Sequence, residues 1–260
     1  MNFTEHYADI NARTIDRWVE AGWEWGVPIT REVFADAQNG TWDVLLSPIQ
    51  PVPHEWFLPF LKNNRLDGAR LLGLASGGGQ QMPVFAAIGA ECTGLDYSAK
   101  QLEAERAVAE REGYAIHIVR ADMTLRLPFG DAAFDIVFHP VSNCYVEDVH
   151  HVWRECHRVL RPGGILLSGL DSGFDFLYDN NDRPRVIVNS LPFNPLKNPA
   201  HKAKTRDCDS VQFGHTFDGL IGGQLKAGFV LTAAYEDYNN NPESIADGIP
   251  SYWVTRAVKP

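Results

Sequence analysis

Three consecutive glycines and two later aspartates are the residues whose types and spacing best suit a binding site. The glycines, at residues 77–79, directly follow an apolar run at residues 70–75, and without side chains their amides can approach a ligand closely. Asp96 and Asp122 each end a later apolar run. A carboxylate at Asp96 can accept hydrogen bonds from both hydroxyls of a ribose. The pattern predicts a nucleotide-like cofactor, although each part alone is also typical of a turn or a helix cap.

Apolar strands and amphipathic helices alternate along the middle of the chain and would position these residues. The predicted strands are residues 70–75, 92–96, 116–122, 134–139 and 165–170, and the clearest helices are residues 98–113 and 147–160. Ser98 is expected to cap the first of these helices, with the side chain of Gln101 reaching back to it. Such alternation is typical of a parallel sheet that is buried on both faces. Ligands usually bind at the loops that follow its strands.

The two flanks of this region have a different composition. Residues 1–69 contain one helical pattern, at residues 10–21, and are then rich in tryptophan and proline, so we expect them to cap one end of the sheet. Residues 171–214 are too long and polar for an ordinary connection and predict an inserted lid. Residues 230–236 and 252–258 would add an antiparallel pair at the sheet edge.

The overall composition restricts the kind of partner. A formal net charge of −10 disfavours a nucleic-acid substrate, because phosphates are bound by basic residues. The first residues lack a signal-peptide pattern, and no eighteen apolar residues run together, which predicts a soluble cytoplasmic protein without a membrane segment. The four cysteines, the last of which is Cys208, form no C-x-x-C pair. We expect reduced structural thiols and no metal site.

The glycine segment and the motifs after it resemble those of the class I S-adenosylmethionine-dependent methyltransferases. The matching motifs are LLGLASGGGQ, GLDYS, RADM, LPFGDAAFDIVF and ECHRVLRPGGILLSG, between residues 70 and 169. The similarity is particularly close to members that methylate small molecules. It implies a Rossmann-like α/β fold: seven strands in a mostly parallel sheet, helices on both faces and an antiparallel edge strand. The domain would span residues 70–260.

The resemblance also implies which residues hold S-adenosylmethionine and its product S-adenosylhomocysteine. Gly77 and Gly79 would line the methionine part, and Asp96 would hold the ribose. Asp122, with Met123, would contact the adenine edge. The full set of expected cofactor-binding residues is Ala75, Ser76, Gly77, Gly79, Gln80, Asp96, Tyr97, Ser98, Gln101, Asp122, Met123, His139 and Pro140.

Two positions depart from the family pattern. Members commonly carry an acidic residue where this chain has Gly73, and a glycine where it has Ala75. Because that acid usually helps to bind the methionine end, another group must contact the amino group of the cofactor here. Gln80, Gln81 and the N-terminal cap are the candidates.

The segment after the fourth predicted strand supplies the candidates for catalysis. Methyl transfer requires that the acceptor be held in line with the methyl group and that water be excluded. A general base helps when the acceptor is a hydroxyl or a thiol. His139, Asn143 and Tyr145 lie in this segment, and histidine is the usual base near neutral pH. His139 is also interpretable as a cofactor or backbone contact, and Asn143 as a turn residue.

We therefore predict an enzyme that methylates a small molecule, at an oxygen, nitrogen, sulfur or carbon atom that the sequence does not specify. The sequence does not specify the oligomeric state either. Two other functions compete: a non-catalytic protein that binds S-adenosylmethionine or S-adenosylhomocysteine, and an NAD(P)-binding oxidoreductase. Against the oxidoreductase, the fingerprint G-x-G-x-x-G would require glycine at Met82 or Ala75.

Overall fold

A mixed sheet organises the fold. The computed structural model describes residues 5–178, 186–205, 209–239 and 248–260, and within these ranges seven strands follow the order β3-β2-β1-β4-β5-β7-β6. They are β1 (Arg70–Leu74), β2 (Glu91–Asp96), β3 (His117–Arg120), β4 (Phe134–His139), β5 (Leu160–Asp171), β6 (Val230–Asp237) and β7 (Tyr252–Val258). β1 to β5 pair in parallel, whereas β7 runs antiparallel to β5 and β6. The predicted mostly parallel α/β sheet with an antiparallel edge is confirmed.

Helices cover both faces of this sheet. They are α1 (Tyr7–Glu20), α2 (Arg31–Gln38), α3 (Gln81–Ala87), α4 (Ala99–Glu112), α5 (Val149–Val159), α6 (Pro199–Lys204) and α7 (Gly223–Lys226). Short 3₁₀ turns lie at Glu24–Gly26, His54–Phe57, Asn143–Tyr145 and Phe174–Leu177, and a π-helix at Asp218–Gly222 precedes α7. No helix among the described residues is long and apolar enough to cross a membrane.

Each face of the sheet has its own buried cluster, because successive residues of a strand point to opposite faces. On one face, Leu71 and Ile136 pack with Phe85 of α3 and with tryptophan and phenylalanine side chains of the N-terminal segment, among them Trp42 and Phe57. The other face packs against α5, whose buried side chains recur at helical spacing. Part of the aromatic N-terminal segment therefore packs into the core on one face of the sheet.

The ends of several elements differ from the predicted ones. β5 begins at Leu160, five residues before the predicted start at residue 165, so the R-P-G-G motif lies within the strand. Ser98 caps α4 as predicted, since its Oγ accepts a hydrogen bond from the amide of Gln101 (3.1 Å). The side chain of Gln101 does not reach back to the cap, because its Nε2 donates to the carbonyl of Trp25 instead (3.1 Å).

The described cysteines are free thiols. Cys92, Cys144 and Cys156 are all buried, and burial raises the pKa of each thiol. Cys208 lies outside the described residues. Buried thiols with a raised pKa are poor nucleophiles, so none of these three side chains is suited to nucleophilic attack.

Candidate functional site

A cavity of about 390 Å³ lies at the carboxyl ends of the central strands, where the strand order reverses between β1 and β4. We name its two halves by the strands that they follow. The β1–β3 half consists of Ala75, Ser76, Gly77, Leu95, Asp96, Tyr97, Ser98, Gln101, Ala121, Asp122, Met123 and Thr124. The β4–β7 half consists of Pro140, Val141, Ser142, Cys144, Tyr145, Asp171, Asp175 and Tyr252. Gln80, Gln81, Gln212 and N-terminal residues complete the wall.

The glycines bring the loop after β1 close against α4. The amide of Gly77 donates to Oδ2 of Asp96 (3.1 Å), and the amide of Gly78 donates to the carbonyl of Gln101 (2.9 Å). A Cβ at Gly77 would lie 2.6 Å from the Cβ of Gln101, and Gly78 has a φ of +88°. Larger residues are excluded at both positions, and Gly77 contributes a wall without a side chain.

Gly79, which was expected to contact the cofactor, is not among the described residues that line the cavity. A Cβ there would lie 2.7 Å from Val108 of α4, and the amide of Gly79 donates to Oε2 of Glu105 (3.1 Å). Glu105 is fully buried, and its Oε1 accepts a hydrogen bond from the hydroxyl of Tyr114 (3.1 Å). Burial raises the pKa of Glu105 to about 7. Gly79 thus packs the loop onto α4.

Asp96 is held by two backbone amides at the end of β2. Its Oδ1 accepts from the amide of Ser98 (2.9 Å), and its Oδ2 accepts from that of Gly77 (3.1 Å). Burial raises the pKa of Asp96, and these two amides oppose the rise. Each carboxylate oxygen has two lone pairs, so capacity to accept further hydrogen bonds remains. This arrangement suits a vicinal diol such as that of ribose.

Tyr97, Asp122 and Met123 form the part of the β1–β3 half that follows β2 and β3. The hydroxyl of Tyr97 donates to Oδ1 of Asp9 in α1 (2.6 Å). Oδ1 of Asp122 accepts from the amide of Thr124 (2.8 Å), and the Asp122 side chain is mostly buried. An aromatic ring, an apolar thioether and a carboxylate together match the requirements of a purine base.

Two buried polar atoms of the same half have no hydrogen-bond partner within the described part of the chain. They are Oγ of Ser76 and Oε1 of Gln101, and both residues line the cavity. A buried polar atom without a partner costs about 1–3 kcal/mol, and such atoms are rare in native proteins. The β1–β3 half therefore fits a polar ligand that supplies the missing partners.

The two departures from the family pattern have a physical explanation. A Cβ at Gly73 would lie 2.5 Å from Sδ of Met82, which is fully buried. Met82 therefore occupies the space that an acidic side chain would need. Ala75 has a φ of +51°, a left-handed conformation that costs an alanine roughly 1–2 kcal/mol. The loop keeps a conformation suited to glycine even though a glycine is absent there.

The expected substitutes for the missing acid, Gln80 and Gln81, both line the cavity. Nε2 of Gln80 donates to the carbonyls of Glu24 (2.8 Å) and Val27 (3.0 Å). Oε1 of Gln81 accepts from the amide of Leu45 (3.0 Å). The two side chains tie the N-terminal segment to the glycine loop.

Helix α1 covers the cavity and connects it to residues 209–213. One face of α1 lines the cavity, including Asn11. The side-chain amide of Asn11 exchanges two hydrogen bonds with the backbone of Val211 (2.9 and 2.7 Å), and Oγ1 of Thr14 donates to the carbonyl of Asp209 (2.8 Å). The cover therefore consists of two segments that are distant in sequence.

The β4–β7 half is acidic and aromatic. Asp171 ends β5, Asp175 lies in the following 3₁₀ turn, and Tyr145 and Tyr252 line the same half. Burial raises the pKa of Asp171 to about 7 and that of Tyr145 well above its usual range. No lysine, arginine or histidine is among the described residues that line the cavity.

Of the three residues predicted to be catalytic, only Tyr145 lines the cavity. His139 is fully buried, with its Nδ1 3.0 Å from the carbonyl of Leu74, and burial lowers its pKa to about 4. Asn143 exchanges two hydrogen bonds with the backbone of Asp171 (3.0 and 2.7 Å). His139 thus contacts the backbone and does not line the cavity, where a general base would be needed. Asn143 positions Asp171.

The structure brings together most of the cofactor-binding residues expected from sequence, since all of them except Gly79 and His139 line the cavity. Sequence reasoning missed Asp171, Asp175 and Tyr252. Asp171 carried a usable signal, because it ends a buried strand as Asp96 does. Asp175 and Tyr252 carried none, since neither strand pattern nor motif places them beside the glycine loop.

Comparison with known proteins gave consistent matches. A family model for a methyltransferase domain matches residues 72–168. The chain is 40% identical over 255 residues to the uncharacterized methyltransferase YbaJ of Bacillus subtilis, covering 96% of this chain and 97% of that protein. It is 37% identical over 100 residues to the demethylmenaquinone methyltransferase of Thermus thermophilus, covering 38% of this chain and 45% of that protein. The crystal structure of an S-adenosylmethionine-dependent methyltransferase from Mesorhizobium loti shares its fold, with a TM-score of 0.61, 24% identity, and coverage of 79% of this chain and 95% of that one.

Proposed function

Since the chain belongs to the class I S-adenosylmethionine-dependent methyltransferases, we propose that its methyl acceptor is a small molecule bound in the β4–β7 half. The size and cover of the cavity support this proposal. The two halves together enclose about 390 Å³, which falls in the range of small-molecule sites, about 300–1,000 Å³, and α1 lies over them. A protein or nucleic-acid segment would need a more open surface. We also propose that residues 1–69 act as a cap and residues 171–214 as a lid on the domain of residues 70–260. Within these two segments, residues 1–4, 179–185 and 206–208 lie outside the described part of the chain.

The β1–β3 half fits S-adenosylmethionine. Asp96 would accept hydrogen bonds from the ribose, and Asp122 would contact the adenine together with the amide of Met123. Ser76 and Gln101 would gain partners for their buried oxygens. When bound, the cofactor supplies a methyl group activated by a positively charged sulfur. The described residues that line the cavity include no basic side chain, which favours that charge.

The amino group of the cofactor needs an acceptor, because no acid stands at Gly73. We propose Oε1 of Gln80, since Nε2 of the same amide is already engaged with the carbonyls of Glu24 and Val27. These contacts hold the Gln80 amide in one orientation. The N-terminal segment would thereby contribute to cofactor binding through Gln80.

The protein's own residues bind the acceptor, orient it and exclude water. Methyl transfer requires no covalent intermediate on the enzyme, so correct positioning is the main requirement. Apolar side chains such as Leu46 and Val141 line the cavity, and together with α1 they would keep water from the reacting atoms.

Thermal unfolding tests the cofactor site. S-adenosylmethionine or S-adenosylhomocysteine at 100 times its Kd should stabilise the protein by about 2.7 kcal/mol, which raises the midpoint by roughly 5–10 °C. NAD and NADP should have no effect. Asp96→Ala should abolish the shift, whereas Asp36→Ala, at an exposed position of α2, should preserve it. A shift with NAD alone would overturn the assignment.

The acceptor class needs a separate experiment. The enzyme is supplied with S-adenosylmethionine labelled in the methyl group, together with a cell extract divided by ultrafiltration into small molecules and macromolecules. We expect label to enter the small-molecule fraction with the intact enzyme and not with Asp96→Ala. Label confined to the protein or nucleic acid of the retentate would contradict a small-molecule acceptor.

A further inference from the structure

The β4–β7 half has a charge pattern that the proposed function leaves unexplained. We propose that this half is an anionic subsite, with Asp171 and Asp175 as its carboxylates, which selects an amine as the methyl acceptor. The inference rests on the proposed function, because it names the substrate class of the same site.

The charges of the whole cavity wall favour a cationic acceptor. Its charged residues, within the described part of the chain, are Asp96, Asp122, Asp171 and Asp175. The first two lie in the half that fits the cofactor, whereas Asp171 and Asp175 lie in the β4–β7 half. Among the described residues that line the cavity, a carboxylate or phosphate on the acceptor would meet negative side chains and no positive one, in a partly dehydrated space where like charges repel strongly. An ammonium group would be attracted to both aspartates.

The carboxylate of Asp171 is held in a defined position. Its Oδ1 accepts from the amide of Gly173 (2.7 Å), and its backbone exchanges two hydrogen bonds with the side chain of Asn143. Its Oδ2 has no hydrogen-bond partner within the described ranges, and the residue lines the cavity. One oxygen thus orients the group while the other is available to a ligand.

Two aromatic rings add to the same preference. Tyr145 and Tyr252 both line the β4–β7 half. Ammonium groups bind favourably against the faces of aromatic rings, and the gain is greater where water is excluded. Carboxylates beside aromatic rings therefore form a wall suited to a cation, whereas an anion would gain from neither.

The acceptor should bind more tightly as the pH rises, because Asp171 must be ionised to attract it. The titratable groups that face Asp171 are Asp175, Cys144, Tyr145 and Tyr252, and none of them brings a positive charge. Burial raises the pKa of Asp171 to about 7. Between pH 6 and pH 8 the ionised fraction grows roughly tenfold, so the affinity for a permanently charged amine should rise by up to that factor.

Methylation of an amine by S-adenosylmethionine needs one further reactant, a water molecule that accepts a proton. The ammonium form that binds first loses one proton to water. The nitrogen lone pair then forms the new nitrogen–carbon bond, while the carbon–sulfur bond breaks and its electron pair remains on sulfur. The products are the methylated ammonium ion and neutral S-adenosylhomocysteine.

Three probes that share one ring and differ in charge test the subsite. Benzylamine, benzyl alcohol and benzoate are titrated into the complex with S-adenosylhomocysteine, and binding is measured by calorimetry at pH 6 and pH 8. We expect benzylamine to bind at least tenfold more tightly than benzoate at pH 8, and this preference to shrink at pH 6. Benzoate or benzyl alcohol binding as tightly as benzylamine at pH 8 would overturn the proposal.

Variants separate this proposal from the proposed function. Asp171→Asn and Asp175→Asn should each weaken benzylamine binding at least tenfold at pH 8, and Asp171→Asn should also remove the pH dependence. Both should bind S-adenosylhomocysteine within twofold of the parent protein, as should the control Asp36→Asn. Unchanged benzylamine affinity in both variants would refute the subsite. Loss of S-adenosylhomocysteine binding by the parent protein would instead refute the proposed function.

Discussion

Replacing Glu105 with glutamine is expected to stabilise the protein above neutral pH. The carboxyl group of Glu105 is fully buried, where it accepts hydrogen bonds from Gly79 and Tyr114, and burial raises its pKa from 4.5 to about 7. Between these two values the folded chain retains a proton that the unfolded chain has lost. The free energy of unfolding therefore falls as the pH rises from about 4.5 to 7, by about 3 kcal/mol in total. Glutamine keeps an acceptor for the amide of Gly79 but cannot ionise.

Urea denaturation at pH 4.5 and pH 8 measures this effect. At pH 8, Glu105→Gln should raise the free energy of unfolding by up to about 3 kcal/mol, and at pH 4.5 the change should be close to zero. Glu110→Gln, at an exposed position of the same helix, should change stability by less than about 0.5 kcal/mol at either pH. If Glu105→Gln destabilised the protein equally at both pH values, the ionised carboxylate could not be the source of the cost.

Two further predictions concern the loop after β1. Ala75→Gly should raise the free energy of unfolding by about 1 kcal/mol in urea, because it removes the left-handed strain of a φ of +51°; a loss of stability would contradict that strain. Gly73→Asp should lower the free energy of unfolding by about 2 kcal/mol, because the new side chain collides with Met82. Adding Met82→Ala should recover part of this loss, and strictly additive effects in the double-mutant cycle would show that the two side chains do not compete for space.

The sequence alone was sufficient to predict the sheet and the main residues of the β1–β3 half. Several strands are mostly buried runs with glycine or aspartate at or just after their carboxyl ends, and a parallel sheet brings the ends of successive strands to one edge. Asp96 and Asp122 could therefore be assigned to one site without coordinates. The same reasoning applied to Asp171 would have found it, because it also ends a buried parallel strand.

The rest of the site depends on contacts between distant parts of the chain. Tyr252 begins β7, an antiparallel strand between β5 and β6. The wall above the glycine loop includes residues of α1 and residues 45–48. His139 had the right residue type and strand position for a base, but its ring is buried against the carbonyl of Leu74. The periodicity of a strand indicates on which face of the sheet a side chain lies, but not how deeply it is buried. The same limit concealed Met82, which fills the space at Gly73.

The pairing of Asn11 with Val211 determines how the cavity can open. Three hydrogen bonds join α1 to residues 209–213, so we expect the two segments to move together when the cavity opens. Moving either segment away from the cavity breaks the same three hydrogen bonds. Movement of α1 or of residues 209–213 away from the cavity therefore removes contacts of the other segment as well.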